Sequence, residues 1–140
     1  MKQIKAIIAV SLDGFIATQD NELDWIPQNV RVLLSKEYEA AHNLLMGANT
    51  YTYIFEHWGG WPYKSKKTFV VSHYDTNVTK KENVTFLTDM PLRAINELKS
   101  SSETDIQVIG GGKFITSLIE ASLLDEITLY IVTVMLGDGI

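Results

Sequence analysis

Residues 108–119 read VIGGGKFITSLI: an apolar run, three consecutive glycines, then Phe114, Ile115, Leu118 and Ile119 at helical spacing. Glycine weakens any regular element, so three together mark a place where the backbone itself is needed. The pattern predicts a strand running into Gly110-Gly111-Gly112 and a helix leaving it. The first N–H groups of such a helix have no partner within it and sit at the positive end of its dipole. With no Cβ in the way, an anion such as a diphosphate can approach them. A tight turn that holds no ligand satisfies the same pattern, and both readings stay open here. Two familiar phosphate loops do not fit. A P-loop places Ser or Thr after Gly-Lys, but Phe114 follows Gly112-Lys113, and Gln107 stands where its first glycine belongs. The dinucleotide fingerprint needs a third glycine where Ile115 stands.

A second turn has the same layout. Asn43–Met46 is apolar after its first residue, Gly47 follows, and a helix is expected from Asn49 or Thr50. Two such turns argue for one ligand bridging two helix N-termini. Around them, strands alternate with helices. Ile4–Val10 reads as a strand buried on both faces, and Asp13-Gly14 as a turn. A helix starts near Pro27 to Asn29, with Val30, Leu33, Leu34, Tyr38 and Ala41 as its stripe. Strands are expected in KTFVVSHYD, NVTFLT and DEITLYIVTVML. One more helix is expected in TDMPLRAINELK, capped by Thr88 or Asp89, with Leu92, Ile95 and Leu98 inward. The alternation predicts a single α/β domain over residues 1–140 with a largely parallel sheet.

Composition bounds the function. Hydrophobic residues make up 46% of the 140 and charged residues 21%, an ordinary globular balance. The net charge of −5, from 12 basic and 17 acidic residues, speaks against nucleic acid as partner. The first apolar run is too short to span a bilayer, so no membrane partner is expected and cytoplasmic residence is the default. Without cysteine there is no thiolate metal site. His42, His57 and His73 do not pair at ligand spacing, so no metal is expected. Trp58, Trp61, Pro62 and Tyr63 read as loop packing.

Six stretches occur in a telling order: AVSLDGFIA (9–17), LDW (23–25), LLMGANTY (44–51), FVVSH (69–73), VIGGGKFITSLI (108–119) and LLDEITLYIVTVMLGDGI (123–140). In them the chain resembles the dihydrofolate reductases. It is more similar still to the bacterial proteins related to the reductase domain of the bifunctional riboflavin biosynthesis enzymes, the RibD C-terminal type. The resemblance implies a three-layer fold, a mainly parallel twisted sheet flanked by helices, here lacking the final strand pair. It implies NADPH as cofactor and hydride transfer to a small heterocycle of pterin or ribosylaminopyrimidine type. It assigns Ala9 and Ile16 to the nicotinamide carboxamide, and Gly47, Asn49 and Thr50 to the diphosphate at one helix start. Gly110, Gly111, Gly112, Lys113 and Phe114 would hold the diphosphate from the other side, with Ser72 and His73 near the adenosine ribose. Trp25, Val30, Leu34 and Tyr130 would line the substrate side.

Two departures shape these expectations. Relatives that use NADPH carry Arg or Lys where Ala48-Asn49 stands, so NADH stays open as cofactor, and Lys113 and His73 are the remaining cations. Dihydrofolate reductases carry an acid on the first turn after the pocket Trp, where this chain has Ile26-Pro27-Gln28-Asn29-Val30-Arg31. Dihydrofolate is therefore not the expected substrate. The catalytic residue stays unassigned, with Asp24 and Tyr130 as candidates. Relatives also continue past residue 140 into two further strands. A truncated chain, or an edge covered by a second subunit in a homodimer, would account for that. A nucleotide-binding protein without turnover is the rival reading.

Overall fold

Ile4–Ser11 forms strand β1, and its side chains alternate between two cores. Ile4 and Ala6 face one, Ile7 the other. A β-branched run of this kind suits a strand covered on both sides. The computed structural model describes residues 2–20, 22–57, 61–72, 83–88 and 91–140. After β1 come α1 (Gln28–Ala40), β2 (Asn43–Gly47), α2 (Ala48–His57), β3 (Lys67–Val71) and β4 (Val84–Leu87). The chain continues through α3 (Pro91–Ser101), β5 (Ile106–Gly110), α4 (Gly112–Glu120) and β6 (Glu126–Val132). The six strands make one sheet in the order β4-β3-β2-β5-β1-β6, and every neighbouring pair is parallel.

The helices divide between the faces. Tyr38 of α1 and Tyr51 and Ile54 of α2 pack with Ile7, Leu44, Met46 and Val70 on one side. Ile95 of α3 and Ile115 and Leu118 of α4 pack with Ala6, Leu45 and Val108 on the other. The buried Tyr38 hydroxyl donates to the Ile7 carbonyl at 3.1 Å, tying α1 to β1. Burial of that hydroxyl pushes its pKa well above the usual tyrosine value. The predicted stripes were too wide by one residue each: Leu33, Leu92 and Ile119 are exposed. Each helix packs on a flat sheet along one narrow line, so a residue at the stripe's margin reaches solvent. The expected cap Asp89 lies outside the described residues.

The chain order sets where a ligand can sit. β1 leads through α1 towards β2 on one side of β5, while β5 leads through α4 to β6 on the far side of β1. The neighbours β5 and β1 thus send their helices to opposite faces, and a crevice opens between their carboxyl ends. The register agrees: β1 pairs with β5 only over Ile4–Ala6. Among the described residues no helix is long and apolar enough to cross a membrane.

Candidate active site

The two glycine turns meet at this crevice. A Cβ built on Gly47 would lie 3.5 Å from the Phe114 Cβ and 3.8 Å from the Gly111 nitrogen. The Thr50 hydroxyl lies 3.5 Å from the Cβ position of Gly110 and 3.3 Å from that of Gly111. β5 is irregular just below: Leu45 pairs with Val108 but Met46 with Gly110, which leaves Ile109 as an extra residue. Gly110 has φ +146°, a conformation that side-chain-bearing residues rarely adopt, and the Gly110–Gly111 peptide is cis. Gly111 is the N-cap of α4 and has no side chain with which to cap it. α2 begins at Ala48, directly after Gly47. The helix therefore starts before Asn49 and Thr50, where its start was expected, and both fall inside its first turn.

Beside these turns lies an open cleft of about 550 Å³, lined by Ile8, Gly14, Ile16, Gly112, Lys113, Ile115, Thr116 and Ile140. Lys113 is exposed on the first turn of α4 and has no ion-pair partner among the described residues. Ile16 reaches across to α4: its Cδ1 is 3.1 Å from the Cβ position of Gly112. Its N–H donates to the Ile140 carbonyl at 2.6 Å. The Ile16 N–H is thereby committed within the chain, and among the described residues no backbone N–H donates to its carbonyl.

Ala9, Trp25, Val30, Leu34 and Tyr130 come together as expected, in one apolar cluster with Leu23, Ile26, Val132 and Val134. Ala9 is paired with Tyr130 in the sheet. The cluster lies on the α1 side of β1, whereas Ile8 in the cleft faces the α4 side. The indole N–H of Trp25 is buried and has no hydrogen-bond partner among the described residues. Asp24 is exposed. Ser72 is buried at the end of β3, where its N–H donates to the Leu87 carbonyl at 3.2 Å. His73 and Trp58 lie outside the described residues. Trp61 and Tyr63 are buried, packed edge to face in the α1 and α2 core, so their packing is that of the main core.

Asp13 lies in the expected turn, closed by the Gly14 N–H donating to the Ser11 carbonyl at 3.0 Å. Its carboxylate accepts the Ser11 hydroxyl at 2.6 Å and the Gly137 and Leu136 N–H groups at 2.8 and 3.2 Å. These bonds, the Ser11 one foremost, hold its carboxyl below the usual carboxylate range. The same turn is laced further to the chain's end, by Leu12 N–H to the Val134 carbonyl and Ile140 N–H to the Ala17 carbonyl, both 2.9 Å. The strap spans more than 120 residues of sequence, and no local pattern marks it.

The RibD C-terminal domain model matches residues 2–140. The chain belongs to that family. The Bacillus subtilis protein YyaP, of no stated function, is 30% identical over 156 aligned residues, which cover 99% of this chain and 80% of YyaP. The crystal structure of a Shewanella sp. PV-4 protein ascribed to riboflavin biosynthesis is 28% identical. It superposes with a TM-score of 0.77 and covers 99% of this chain and 81% of that one. The Enterococcus faecalis dihydrofolate reductase complexed with NADP(H) is 22% identical with a TM-score of 0.69, covering 95% of this chain and 72% of that one. The fold is therefore that of dihydrofolate reductase, in a family with reductases among its structural neighbours.

Proposed function

We propose that this chain is an NAD(P)H-dependent reductase of a small heterocycle of pterin or ribosylaminopyrimidine type. One observation carries the reading. Two glycine turns, each opening a helix, lie so close at the switch point of the sheet that a Cβ on Gly47 would touch Gly111 and Phe114, and an open cleft lies beside them. Amides at both helix starts suit the two charges of a diphosphate. The family and the NADP(H)-binding neighbour make a nicotinamide dinucleotide the natural guest.

The residues present fit such a group. Gly47, Asn49 and Thr50 from α2 and Gly110 to Phe114 from α4 would hold the diphosphate, with Lys113 adding a cation. Ser72 and His73 would lie near the adenosine ribose. Ala9 and the Ile16 carbonyl would orient the carboxamide. A bound dihydronicotinamide supplies the hydride for a C=N or C=O bond. Trp25, Val30 and Leu34 keep water from the reacting face. Of the two candidates for moving a proton, Tyr130 packs against the apolar cluster, while Asp24 stands in solvent. With Asp24 exposed, a nucleotide-binding protein without turnover is the second reading.

The test is a thermal shift with NADPH and NADH in parallel, followed by absorbance of the reduced nicotinamide with a panel of heterocycles. A dinucleotide at a hundred times its Kd stabilises by about 2.7 kcal/mol, roughly 10 °C for a chain of this size. Gly110→Ala places a side chain at φ +146° and is expected to remove the shift. Binding without oxidation across the panel supports the second reading. No shift with either dinucleotide overturns both.

A further inference from the structure

We propose that Arg31 is a positioning residue for Trp25. Residues 23–26 form a tight turn closed by the Ile26 N–H donating to the Leu23 carbonyl at 3.1 Å. Trp25 occupies the third place of that turn, and its indole packs into the cluster with Ala9, Val30, Leu34 and Tyr130. Arg31, on the first turn of α1, reaches back over it. Its Nε donates to the Ile26 carbonyl at 2.9 Å and its Nη2 to the Leu23 carbonyl at 2.6 Å. One planar guanidinium therefore joins both ends of the four-residue turn that carries the indole.

The choice of partners is informative. Glu22 precedes the turn and Asp24 is its second residue, yet Arg31 forms an ion pair with neither. Its donors go to two carbonyls fixed relative to each other. Hydrogen bonds from a charged group outweigh neutral ones, and the guanidinium fork holds two acceptors at a set spacing. An ammonium at the same position is a point charge on a flexible stem and cannot reproduce that spacing. Among the described residues the Trp25 N–H has no hydrogen-bond partner that would fix its ring. Its aim is set by apolar packing and by the turn that Arg31 holds. The consequence for substrate placement rests on the reductase reading; the clamp on the indole does not.

The experiment uses the full chain labelled with 5-fluorotryptophan, with the Trp25 resonance assigned from Trp25→Phe. In Arg31→Met the Trp25 fluorine resonance is expected to shift and broaden, while that of the core residue Trp61 stays in place and reports an intact fold. Arg31→Lys is expected to recover the Trp25 signal only in part. In turnover, Arg31→Met is expected to raise KM for the heterocycle about tenfold, the scale of one lost charge-assisted bond, with dinucleotide affinity unchanged. A Trp25 resonance identical in wild type and Arg31→Met overturns the proposal. A moved resonance with unchanged KM overturns the role in substrate placement. A moved resonance in a protein that oxidises no dinucleotide leaves the clamp standing and removes the reductase reading.

Discussion

Lys99 shows how a single residue can run against its type. It lies on the inward face of α3, buried, with its ammonium 2.7 Å from Asp125 Oδ2. Asp125 also accepts the Ile4 N–H at 2.8 Å, so the pair joins α3, the start of β1 and the approach to β6. The Lys99 bond first, and then the Ile4 N–H, hold the Asp125 carboxyl below its ordinary value of 3.8. A carboxyl lowered by folding contributes its full stability above its unfolded pKa and loses it as pH falls through the folded one. Acid titration of the urea midpoint should therefore steepen below about pH 4, and Lys99→Met should flatten that limb. At neutral pH the same substitution should cost on the order of 2 kcal/mol, less than a fully buried pair because Asp125 remains partly solvated. An unchanged acid limb in Lys99→Met would show that the pair is not what titrates.

Between elements, the strap joining residues 12–17 to 134–140 brings the turn after β1 down over the cleft. Its weak point is Gly139, whose φ of +153° excludes a side chain, and where a Cβ would run into the Ala17 carbonyl. Gly139→Ala should break the bonds of Ile140 to Ile16 and Ala17. Hydrogen exchange is the measurement, with faster exchange expected at the Ile16 and Ile140 amides and no change in β5. Retained protection at Ile16 would mean that Asp13 anchors the turn unaided. The glycine turns were readable at this scale because a strand, a glycine and a helix start are neighbours in sequence. The strap and the Arg31 clamp were not, because Gly137, Asp13 and the carbonyls of Leu23 and Ile26 carry no compositional signal of their partners.

Across the molecule, β6 is the last strand of the sheet among the described residues and pairs there with β1. Ile127, Leu129 and Ile131 stand opposite Ala6, Ile8 and Val10, which places them on the face that carries α3 and α4, and all three are exposed. An apolar edge strand of this kind favours association with other chains. Ile131→Lys should reduce light scattering at rising protein concentration while changing stability by less than about 0.5 kcal/mol. Equal scattering from both proteins would mark the face as inert.

Strand and helix alternation, the α/β class with its largely parallel sheet and the two glycine turns were already legible in the linear chain, because propensity, hydrophobic period and glycine punctuation act between near neighbours. The three-layer arrangement was implied only by the family resemblance. Which strands lie side by side came from the folded arrangement. So did the meeting of Gly47 with Gly111, the separation of the cleft from the Trp25 cluster across β1, and the commitment of the Ile16 N–H to Ile140. Each of these depends on contacts between residues tens of positions apart. Such contacts follow from how helices and strands pack to bury apolar surface, and no local pattern encodes them.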